Sequence, residues 1–95
     1  MRLVGAGRIH QYAERHAQAA GPLDRWRRVI EMTTFHSVPD LRRTFSRSYD
    51  YVPPRCHVFN IAGGHRLVAL IDFESELVMV DTILDHDRYA RWRCL

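Results

Sequence analysis

Apolar and small residues recur at helical intervals over the first part of the chain. After Ile9, the positions Tyr12, Ala13, Ala17 and Ala20 predict one helix, which Gly21-Pro22 is expected to stop. Leu23, Trp26, Val29 and Ile30 then share one face of a second helix, with Arg25, Arg27 and Arg28 on the remainder. Upstream, Met1-Arg2-Leu3-Val4 reads as a short strand ended by Gly5-Ala6-Gly7. Ser37, three residues before Asp40, marks the start of a short helix carrying Leu41 and Phe45, with Pro39 tolerated in its first turn.

Beyond Pro53-Pro54 the periodicity shortens to that of strands. His57 to Ile61 reads as one strand, Ala62-Gly63-Gly64 as a hairpin loop, and Arg66 to Phe73 as a second strand. Glu74-Ser75-Glu76 makes another tight connection, and Leu77 to Leu84 a third strand. In the second strand Leu67, Ala69, Ile71 and Phe73 line one side and Val68 and Leu70 the other, so both faces are covered and the strand is expected at the centre of its sheet. A short helix from about Asp87 to Arg93 closes the chain. The pattern predicts an α+β fold, a small antiparallel sheet packed with N-terminal helices, as a single domain over residues 1–95.

Composition narrows the class of partner. All fourteen basic residues are arginine, against eleven acidic ones, giving a net charge of +3 and a pI near 9.3. Arginine keeps its charge at any working pH and grips phosphate with two parallel donors, so the basic surface suits an anionic partner. No apolar run reaches the length of a membrane span and none resembles a signal peptide, which makes the cytoplasm the expected compartment. Cys56 and Cys94 form no CxxC pair; one disulfide between them stays open, and the lack of a secretion signal favours two reduced thiols. The histidines adopt no zinc-binding spacing, so neither a metal nor another cofactor is expected.

Polar residues interrupt the apolar C-terminal half at a few places. Asn60 lies in the first strand of the hairpin and Arg66 opens the second, and antiparallel pairing sets them near one end. The third strand returns to that end at Leu84, bringing His86 and Tyr89 alongside. Imidazole transfers protons near neutral pH and a guanidinium stabilises charge growing on phosphate oxygens, so the group suits acid–base chemistry beside an anion. Structural readings stand beside this one: Asn60 as a backbone partner in the hairpin, Arg66 as a solvated edge residue, Tyr89 packed with Trp92 against the sheet.

The segment His57-Val58-Phe59-Asn60-Ile61-Ala62-Gly63-Gly64-His65-Arg66-Leu67-Val68-Ala69, followed two strands later by His86-Asp87-Arg88-Tyr89, resembles the HigB-type toxins of bacterial toxin–antitoxin systems, within the RelE-like group. The resemblance is specific over about residues 57 to 92 and looser over the helices before them. It implies an endoribonuclease that inhibits translation by cutting messenger RNA on the ribosome without a metal, through attack of the ribose 2′-hydroxyl on the adjacent phosphate. It further implies neutralisation by a helix-turn-helix antitoxin, with operator DNA reached only through that antitoxin, and no membrane partner. Matched residue by residue, Arg66 would offset phosphate charge, His86 and Tyr89 would transfer protons or stack on bases, Asn60 would position the substrate, and Arg66 and His65 would bind it with Asn60. Which of His86 and Tyr89 is the acid and which the base stays open. The chain departs from the family pattern at Gly64, where asparagine is common, at Asp85, where threonine is common, and near Asp81, where a basic residue is common. Those carboxylates keep two other readings alive: a non-catalytic toxin that poisons gyrase, and a degenerate toxin acting only as a co-repressor.

Overall fold

A computed structural model describes all 95 residues. Five strands form one sheet in the order β1-β5-β4-β3-β2, with β1 Arg2–Val4, β2 Tyr49–Val52, β3 Cys56–Ala62, β4 His65–Asp72 and β5 Leu77–Leu84. β2 to β5 form an antiparallel meander, and β1 joins the β5 edge in parallel. β4 is the middle strand, as its two apolar faces predict. Helices α1 Ala6–Arg15, α2 Ala17–Met32 and α3 Val38–Phe45 accompany one face, and α4 His86–Arg91 follows β5. No helix is long and apolar enough to cross a membrane.

The helix boundary expected at Gly21-Pro22 lies instead at His16, and Pro22 sits inside α2. A proline there removes the bond to the Gln18 carbonyl. The continuous stripe Ala19, Leu23, Trp26 and Ile30, all buried, outweighs that loss. Ser37 caps α3 as predicted, its hydroxyl accepting from the Asp40 amide at 3.4 Å. Strand β2 has no counterpart in the sequence reading. Its four residues are too few to show alternation, and its register is supplied by pairing with β3, Tyr49 opposite Phe59 and Tyr51 opposite His57.

The helix-covered face holds the main core, with Phe35, Leu41, Phe59, Leu67, Ala69, Val78 and Val80 buried beneath Leu23, Trp26 and Ile30. His57 is buried at its edge at 4% exposure. Burial alone pushes its imidazole down to about 4, so it is neutral. Tyr49, which burial pushes up to about 12, keeps its proton, and its hydroxyl is hydrogen-bonded to His57 Nδ1 at 2.7 Å.

The opposite face is covered sparsely. Cys56, Val58 and Val68 are buried there, with Leu70, Leu84, Tyr89 and Trp92 packed around them. The expected free thiols are corrected here: Cys56 of β3 and Cys94 form a disulfide across 38 positions. The physical reason is the return of the chain after α4, which lays the C-terminal segment over this face and brings Cys94 to β3.

Candidate functional site

The β3–β4 hairpin turns at Gly63 and Gly64, both with positive φ, and this sets the geometry of everything at its tip. Asn60 pairs directly with Arg66, so their side chains leave the same face. Arg66 Nη1 donates to Asn60 Oδ1 at 3.1 Å. The same guanidinium lies over the Tyr89 ring at 5.3 Å from its centroid, and Tyr89 in turn stacks on Trp92 at 5.6 Å. A side chain that would otherwise sample many rotamers is thus held by an amide on one side and an aromatic ring on the other.

α4 delivers Tyr89 because of its cap. Asp85 Oδ1 accepts from the Arg88 amide at 2.8 Å, starting the helix directly after β5. That bond, and then the Arg88, His16 and His65 charges, hold the Asp85 carboxyl below the usual carboxylate range. His86 is the first residue of α4 and is exposed. It packs against the hairpin turn, where a Cβ on Gly64 would stand 3.0 Å from His86 Cβ. The glycine therefore serves both the turn, at φ +87°, and the close approach of this histidine.

Three of the sequence-derived residues, Asn60, Arg66 and Tyr89, thus form one contacting group, with His86 beside it at the hairpin tip. His65 is placed elsewhere. As the strand neighbour of Arg66 it points to the helix-covered face, where its Nδ1 lies 2.5 Å from the Tyr12 hydroxyl. Burial and then the Asp85 charge raise the Tyr12 phenol above its ordinary value, so Tyr12 keeps its proton beside His65. His16 stacks on Tyr12 at 4.1 Å between centroids and meets His65 edge-on at 5.2 Å. Tyr12 and His16 were legible only as helical positions; their four-residue spacing was the one available sign of an aromatic pair.

Arg66 and Tyr89 together can bind and neutralise a phosphate, and His86 and Tyr89 carry exchangeable protons at the same end of the sheet. A family model described as HigB_toxin, RelE-like toxic component of a toxin–antitoxin system, matches residues 19–92. No curated protein matches the chain.

Proposed function

The chain belongs to the HigB toxin family, RelE-like toxic components of toxin–antitoxin systems, and from that premise we propose that it is an endoribonuclease that cuts messenger RNA on the translating ribosome. Its partner in this reading is a helix-turn-helix antitoxin, and its place of action the cytoplasm. The observation that carries the reading is the Arg66 guanidinium, held at 3.1 Å from Asn60 Oδ1 and over the Tyr89 ring at the end of the sheet where α4 begins with His86.

In the proposed reaction the 2′-hydroxyl loses a proton and attacks the adjacent phosphorus, the P–O5′ bond breaks, and the 5′-oxygen takes up a proton. Two proton-transfer groups and one fixed cation meet these needs. Arg66 offsets the charge of the phosphorane, which is worth most where the donor is already oriented. His86 and Tyr89 share the two proton transfers. Asn60 keeps Arg66 in place.

A net charge of +3 is small for a domain that must bind RNA unaided, since affinity rests largely on the number of phosphates neutralised. Alignment of the message by the ribosome then contributes through proximity and orientation.

The test is expression of the chain alone in bacteria, followed by primer extension on total RNA. Growth arrest with new 5′ ends inside coding regions is the expected result. Arrest with intact transcripts and accumulated DNA breaks would overturn it in favour of a gyrase poison, and unimpaired growth would overturn it in favour of a degenerate toxin acting only as a co-repressor.

A further inference from the structure

We propose that the groove between α1 and the β5–α4 turn is a second phosphate-binding site, one that takes the RNA backbone at nucleotides flanking the cleaved bond. The inference rests on the endoribonuclease reading for its ligand, and on different residues for its evidence. The groove has a volume of about 660 Å³, within the range of sites that hold a small ligand or one nucleotide. Arg8 and Arg15 line it from α1, two helical turns apart and so on one face, and Arg88 lines it from α4.

None of these three guanidiniums belongs to an ion pair. That distinguishes them from Arg27, Arg28 and Arg43, each of which is paired with a carboxylate on its own helix. The acidic residues of the groove are already engaged: Glu14 lies 2.9 Å from His10 Nε2, and Asp85 caps α4 with the His16, His65 and Arg88 charges around it. The carboxylate that stands where the family commonly has threonine is therefore engaged by the Arg88 amide, with the Arg88 charge beside it.

An RNA strand fits this groove better than an acidic protein segment does. The stacked Tyr12 and His16 rings line it beside the guanidiniums, and a nucleic acid strand uses both features, phosphates on cations and bases on π-faces. Its position also suits a continuous strand. Arg88 and Tyr89 are consecutive on α4, so the groove and the Arg66–Tyr89 group lie on two sides of one short helix. A strand crossing the first turn of α4 meets both.

The experiment measures binding and is independent of turnover. A short fluorescein-labelled RNA carrying 2′-O-methyl riboses, which cannot attack its own phosphates, is titrated with the disulfide-intact protein at several salt concentrations. The Arg8→Ala, Arg15→Ala, Arg88→Ala triple variant should bind at least roughly tenfold more weakly, and its salt dependence should flatten by about 2 in the log–log slope, from about 0.7 for each lost phosphate contact. The control is Arg47→Ala, an exposed arginine outside the groove, which should change affinity far less than one third of the triple effect on a logarithmic scale. Circular dichroism melts establish that each variant is folded, and the Arg8→Gln, Arg15→Gln pair replaces the triple variant if truncation costs too much helix. Equal losses per arginine in the groove and at Arg47 would overturn the proposal by showing a diffuse charge effect. Equally strong displacement by a poly-glutamate peptide would also overturn it, giving the groove to an acidic protein partner. Groove-dependent binding together with no cleavage of an unmodified message in a reconstituted translation system would count against the endoribonuclease reading alone.

Discussion

The two faces of the sheet are built to different standards. The helix-covered face buries fourteen residues in one cluster, and its large side chains interlock, Trp26 and Phe45 each meeting the Phe59 ring edge-on. The other face buries three residues, and α4, which crosses its end, contains no buried residue at all. In place of depth it relies on a capped helix start, a short aromatic stack and the Cys56–Cys94 disulfide. The lesson is a division of labour: stability resides where side chains are sealed from water, and the proposed chemistry lies where Arg66, Tyr89 and His86 stay accessible while their positions are fixed by a few local contacts.

Substitutions on the two faces should separate these roles. Phe59→Ala removes the ring on which Trp26, Phe45 and Tyr49 converge and should cost roughly 3–5 kcal/mol, read from urea denaturation. Cys94→Ser acts on the sparse face. A closed loop spanning 38 positions contributes about 3–4 kcal/mol in the chain-entropy account, so the variant should lose stability comparably. Its additional signature is local, with amide exchange rising first in α4. Uniform exchange across the sheet would show that the disulfide supports the whole fold and not that face.

The pH response belongs to the dense face. His57 is held neutral by burial with its pKa at about 4, while in the unfolded chain it protonates near 6.5. Between those values the unfolded state binds the extra proton, so stability is fully present above pH 6.5 and is lost as pH falls toward 4, by roughly 3 kcal/mol. His57→Phe should flatten that part of a stability–pH curve. The smallest effect is expected at the α4 cap, where Asp85→Ala should lower the thermal midpoint only slightly.

Much of this contrast was legible in the sequence. The alternation of Leu67, Ala69 and Ile71 with Val68 and Leu70 identified the middle strand because both sets must be covered. The pairing of Asn60 with Arg66 followed from a tight hairpin around two glycines. His65 entered through the family resemblance beside Arg66, and the two-residue period of a strand places these neighbours on opposite faces. The disulfide was not legible, because it depends on how the segment after α4 folds back over β3, a long-range event with no local signal. Pro22 misled for a related reason: local propensity argued for a break, and the buried stripe on either side overrode it.

The most direct test of where the chemistry lies is cleavage of a defined message by purified protein in a reconstituted translation system. Arg66→Ala and His86→Gln, each shown to be folded, should lower the cleavage rate by roughly 10²–10⁴, and their combination should lose less than the product of the two, as expected for groups acting in one step. Cleavage at the wild-type rate by the folded double variant would contradict the placement of the reaction at the Arg66–Tyr89 end of the sheet.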